Sequence, residues 1–70
     1  MNRGNIVMFT GQGVYAKYFF GQFAVVMSSS ISKSSKKEFV RVEWLSPVKY
    51  NEGHTTTSDL LADKFTLVVK

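Results

Sequence analysis

Residues 38–50 read EFVRVEWLSPVKY, and the alternation inside them governs how the neighbouring segments are interpreted. From Phe39 to Leu45 the side chains switch sides at every step. Val40, Val42 and Trp44 fall on one face of a strand and Phe39, Arg41, Glu43 and Leu45 on the other. Trp44 is the only tryptophan, and its large ring makes it the expected anchor of a small core. Pro47 has no N–H to donate to a ladder. Pairing is therefore expected to lapse at Ser46-Pro47, with a second short extended piece behind the turn.

Upstream, Gly4-Asn5 precede a first strand, Ile6 to Thr10, rich in β-forming residues. Gly11-Gln12-Gly13 closes it. The segment Val14–Met27 is ambiguous, because Tyr15, Phe19, Gln22/Phe23 and Val26 also fall at helical spacing. Gly21 would sit inside that helix and cost it about 1 kcal/mol relative to alanine. The expectation is an irregular or extended Val14–Phe20, a turn at Gly21 and a strand from Gln22 to about Ser28. Ser28–Lys37, SSSISKSSKK, is polar and lysine-bearing, and reads as a mobile hairpin loop between the second and third strands.

Downstream, Asn51-Glu52-Gly53 is a turn signal from which His54–Thr57 extends. Ser58–Asp63 reads as a single helical turn with Ser58 or Asp59 as its N-cap. The last strand is expected over Lys64–Val69, with Phe65, Leu67 and Val69 on one face and Thr66 and Val68 on the other.

Seventy residues form one domain, 1–70, with a small core. The absence of cysteine and the single histidine exclude disulfides, thiolate zinc sites and His/Cys metal clusters. Stability has to come from aromatic and β-branched packing, to which self-association could add. Nine Lys/Arg stand against five Asp/Glu, a net charge of +4, which favours polyanionic partners. After Arg3 the apolar run Ile6–Phe9 is too short for a secretion signal. Lys17, Gly21 and Gln22 interrupt the longest apolar stretch well short of a membrane span. The expectation is a cytoplasmic protein, monomeric or weakly homo-oligomeric, without membrane partners.

The order strand, aromatic loop, strand, polar loop, strand, loop, helical turn, strand resembles the SH3-like small barrels. Closing a sheet in that way also removes exposed edges. Gly4-Asn5-Ile6-Val7-Met8-Phe9, followed by Gly21-Gln22-Phe23-Ala24-Val25-Val26, is loosely similar to the KOW element of ribosomal and transcription-elongation SH3-like domains. The small cysteine-free form also looks like small proteins of tailed bacteriophages, for which the compartment would be the host cytoplasm. The resemblance implies an all-β, SH3-like small barrel of four to five antiparallel strands with one short helical turn before the last. It further implies that the first long loop helps to form an aromatic groove for a partner.

Several constellations carry less than their pattern suggests. Gly11-Gln12-Gly13-Val14-Tyr15-Ala16 matches G-x-G-x-x-A, yet a dinucleotide site needs a βαβ unit and a later acidic residue. Ser28–Lys37 occupies that later region, so the glycines read as a turn leaving a strand. His54 has no neighbour whose spacing singles it out as a catalytic partner, and reads as an exposed loop histidine. Asp59 and Asp63, four apart, read as capping and solvating the helical turn. Ser28-Ser29-Ser30 lacks a group that would activate a hydroxyl.

Two groups remain. Tyr15, Tyr18, Phe19 and Phe20 surround Lys17, the pairing of rings and cation that single-stranded nucleic acid uses for stacking and phosphate contact. Four aromatics in six residues cannot all point inward from one strand, so they divide between core and surface. Lys33, Lys36 and Lys37, with Arg41 beyond, form the densest basic patch. The expected function is a non-catalytic binding module without metal or cofactor. Lys33, Lys36, Lys37, Arg41 and Lys17 would contact nucleic acid, and Tyr15, Tyr18, Phe20 and Tyr50 would form the aromatic surface. The alternative is a protein-interaction module, a small viral or regulatory factor that docks on a host complex through the same rings.

Overall fold

The computed structural model describes residues 1–50 and 52–69. The strand built on EFVRVEWLSPVKY runs the whole length of that segment. It is β3 in the chain order β1 (Ile6–Phe9), α1 (Ala16–Phe19), β2 (Phe23–Ile31), β3 (Glu38–Tyr50) and β4 (Gly53–Leu61), then a 3₁₀ turn (Ala62–Lys64) and β5 (Phe65–Val69). The chain is all-β. Its five strands form one antiparallel sheet in the order β4-β3-β2-β1-β5, with a short helical turn before the last strand.

Alternation along β3 is realised as expected. Val40, Val42 and Trp44 are buried, and Phe39, Arg41, Glu43 and Leu45 are exposed. Val7 and Phe9 of β1, Ala24 and Val26 of β2, Val48 of β3 and Phe65 of β5 complete the inner face together with Ala62 and Phe19. Pairing lapses around Pro47: the β2 ladder ends at Ala24↔Trp44, and the β4 ladder passes from Glu43↔Thr57 directly to Val48↔Thr55. Residues 44–47 therefore face Thr56 alone, and this large bulge bends β3 at the indole.

Trp44 lies at the centre of a ring mesh. Its plane stacks on Phe19 at 4.7 Å and 4°, and Phe65 lies 6.0 Å away. Phe9 meets Phe19 at 5.9 Å and Phe65 edge-on at 5.4 Å. The indole N–H donates to Ser58 Oγ on β4 at 3.0 Å, so this buried ring carries no unpaired donor.

The structure revises several boundaries. Ala16–Phe19 forms one helical turn where an irregular or extended segment is expected. Gly21, at φ +82°, lies beyond this turn and ends it, so its helix-breaking character acts as a stop. β2 continues through Ser28–Ile31 by pairing with Arg41–Glu38, which shortens the polar loop to 32–37. This loop is a hydrogen-bonded turn: Ser32 N–H donates to Lys37 O, and Lys36 N–H to Ser32 O at 2.7 Å.

The helical turn before the last strand lies at Ala62–Lys64, and Ser58–Leu61 belong to β4. Ser58 and Asp59 are therefore not caps; cross-strand partners on β3 hold them. Asp59 and Asp63 lie on different elements and share no helical face. His54 is exposed on β4, in a strand and not a loop. β5 begins at Phe65; Phe65 is buried, Leu67 is exposed, and Thr66 and Val68 are exposed on the other side. Asn51, in the expected turn, and the side chain of Val69 lie outside the described residues.

Candidate functional site

The long β1–β2 connection lays α1 against the inner face of β3. Thr10 and Gly11 N–H groups both donate to Lys64 O at 2.9 Å, which ties its start to the 3₁₀ turn. Its end is pinned by Gly21 N–H to Phe9 O and by Gln22 N–H to Phe19 O, each 2.9 Å. Between these anchors Phe19 is buried on Trp44, and the rest of the aromatic group follows from its position.

Tyr50, at the end of β3, meets Phe19 at 5.7 Å, Tyr15 at 6.2 Å in a stacked pair, and Tyr18 edge-on at 4.7 Å. Tyr18 and Tyr50 are half-buried against the core. Tyr15 and Phe20 are exposed, at 43% and 63%. Of the four expected surface rings, Tyr15, Tyr18 and Tyr50 gather around Phe19 with graded exposure, and Phe20 stands exposed at the end of α1. Tyr50 acts as the inner support of the cluster.

Lys17 Nζ sits 5.0 Å above the centroid of the Tyr18 ring, a cation–π contact. A shallow hollow of ≈ 350 Å³ opens beside it, lined by Lys17, Tyr18, Gln22, Pro47, Val48 and Lys49. Two lysines and no carboxylate border this hollow. Lys49 was not among the expected residues, although the alternation Val48-Lys49-Tyr50 behind Pro47 points it outward and could have identified it. Across the β3–β4 ladder Lys49 faces His54.

The remaining expected cations lie elsewhere. Lys33, Lys36 and Lys37 are exposed in the 32–37 turn, before the start of β3, whereas Lys49 and Tyr50 end that strand. Eleven residues of β3, Glu38 to Val48, lie between Lys37 and Lys49 along the strand. Arg41 is held on the outer face by Asp59 through two hydrogen bonds, Nε to Oδ1 at 2.8 Å and an NH2 nitrogen to Oδ2 at 3.2 Å. These hydrogen bonds hold the Asp59 carboxyl below its ordinary value of 3.8 and raise the Arg41 guanidinium. Arg41 is thus a paired cation, set apart from the lysine turn in its electrostatics. A hollow of ≈ 400 Å³ beside it is lined by Ser28, Ser29, Ser30 and Phe39.

Among the described residues no three His, Asp or Glu side chains gather at metal-binding distance, and no helix is long and apolar enough to cross a membrane. No protein-family model, curated protein or solved structure matches the chain.

Proposed function

We propose that this chain is a non-catalytic binding module that contacts nucleic acid through the hollow bordered by Lys17 and Lys49. One observation carries the proposal: Lys17, held over the Tyr18 ring, and Lys49 border one hollow that no carboxylate borders. Ammonium groups in such a setting attract phosphates, and the bound counterions they displace make the affinity salt-dependent. The Tyr18 ring holds Lys17 near the hollow, which lowers the entropy lost on contact. The turn lysines Lys33, Lys36 and Lys37 supply a second basic region, and Arg41 supplies little while Asp59 neutralises it.

The test is titration of labelled single- and double-stranded oligonucleotides at low and moderate salt. Affinity is expected to fall steeply with salt, and the double change Lys17→Ala/Lys49→Ala to weaken binding and flatten that dependence. Absence of binding at low salt would remove the proposal.

A protein-interaction module is the second reading, favoured by the outer sheet face. Phe23 pairs across the ladder with Met8, and Phe23 and Leu45 are 43% and 58% exposed. These side chains offer apolar contact independent of charge, so binding through them would resist salt.

A further inference from the structure

We infer that Phe20 is the base-stacking platform of this site and that the ligand is single-stranded. The inference rests on the nucleic-acid reading above and deepens it. Lys17 and Gln22 both border the hollow, and Phe20 lies between them in sequence as the C-cap that follows α1. Its φ of −56° is still helical, so its Cα–Cβ bond leaves the backbone on the side of Lys17, three residues before it.

The other rings are already engaged. One face of Tyr18 carries the Lys17 ammonium and its edge meets Tyr50. Tyr15 stacks on Tyr50, and Phe19 is buried against Trp44. Phe20 has 63% of its surface in water.

Its backbone is nevertheless fixed. Phe20 N–H donates to Ala16 O, Gly21 N–H to Phe9 O and Gln22 N–H to Phe19 O, all at 2.9 Å. A phenyl ring is thus presented to solvent on a held segment, between two residues, Lys17 and Gln22, that border the hollow. Such a ring loses little freedom when a flat apolar partner covers it. A nucleobase is that partner: its face stacks on the ring while its own phosphate reaches Lys17 or Lys49. A duplex cannot use the arrangement, because its base faces are covered by neighbouring pairs.

The experiment compares the unmodified chain with Phe20→Ala, Phe20→Leu and Phe20→Trp, using a single strand of about twelve nucleotides and the matching duplex at one low salt concentration. Circular dichroism verifies the fold of each variant. Single-strand affinity is expected to drop roughly 5- to 100-fold in Phe20→Ala, to stay low in Phe20→Leu and to return in Phe20→Trp, with duplex binding unchanged throughout. A 2-aminopurine base in the strand should be quenched by the unmodified chain and not by Phe20→Ala.

Single-strand affinity unaffected by Phe20→Ala, or equal losses on strand and duplex, would overturn the stacking assignment and leave the nucleic-acid reading standing. Absence of binding to either ligand by the unmodified chain would end both.

Discussion

A Cβ built on Gly11 would lie 2.9 Å from Cβ of Lys64 and 3.1 Å from its Cα. Neither atom can rotate away, so the position requires glycine for close approach to the 3₁₀ turn. Gly11→Ala is expected to destabilise the protein by about 1–3 kcal/mol, seen as a lower urea midpoint at unchanged slope. Lys36 presents the opposite case. It holds φ +57° at the end of the 32–37 turn, a conformation costly for a residue with a Cβ. Lys36→Gly is therefore expected to raise stability by about 0.5–1 kcal/mol, whereas Lys36→Ala should give no such gain in the same melt. The Arg41–Asp59 pair sets a pH dependence. Because pairing lowers the Asp59 pKa below 3.8, the stabilisation is present above the unfolded value and disappears as pH falls through the folded one. The stability difference between the unmodified chain and Asp59→Asn should accordingly shrink on acidification from pH 5 downward. It should also shrink with added salt, since both groups are exposed.

At the scale of the element, α1 is too short to stand alone. It has four residues and no side-chain cap, and the Phe19–Trp44 stack fastens it to the sheet. Phe19→Ala is expected to cost about 3–5 kcal/mol and to release the turn beyond that global loss. Hydrogen exchange would report this as lost protection at the amides of Phe20, Gly21 and Gln22, in excess of the change at Val42. Equal loss at all four amides would mean that the turn has no independent stability to lose. This dependence also explains which elements the sequence discloses. β3 is legible because its period-2 pattern is local, and the lapse at Pro47 because a missing N–H is a local fact. The helical turn at Ala16–Phe19 is not, since the ring of Trp44, far along the chain in β3, stabilises it. Ser28–Ile31 and Ser58–Leu61 likewise look like loop and helical turn by composition. Cross-strand partners, Arg41–Glu38 for the first and Val42–Phe39 for the second, make them strands. The type of β1, β2, β3 and β5 was in the residues, whereas β4, which reads as a loop with an extended piece and a helical turn, and the ends of the others depended on partners far along the chain.

At the scale of the whole molecule, only part of the positive charge adjoins the rings: Lys17 and Lys49 do so at the hollow beside Tyr18, and the lysines of the 32–37 turn belong to the far end of β3. The basic turn, the aromatic cluster and the Lys17 cation were all legible, because exposed lysines and crowded aromatics are visible in composition. Their separation was not, since it depends on the length of β3. The cations flanking β3 fall into two groups, Lys33, Lys36 and Lys37 before it and Lys17 with Lys49 near its end, and the molecule measures 33 Å along its longest axis. Between them the outer face of β3 offers Arg41, neutralised by Asp59, and the exposed carboxylate Glu43. A short oligonucleotide should therefore engage the Lys17–Lys49 hollow alone, and only a longer one should also reach the turn. The prediction concerns Lys33→Ala/Lys36→Ala/Lys37→Ala set against Lys17→Ala/Lys49→Ala, each titrated with single strands of increasing length. The double change should weaken binding at every length and reduce the salt slope by about 0.7 for each phosphate contact removed. The triple change should leave the shortest strands unaffected and weaken the longer ones. If instead the triple change weakens the shortest strands as strongly as the double one, the turn lysines and the hollow act on the same few phosphates, and β3 does not separate two binding regions.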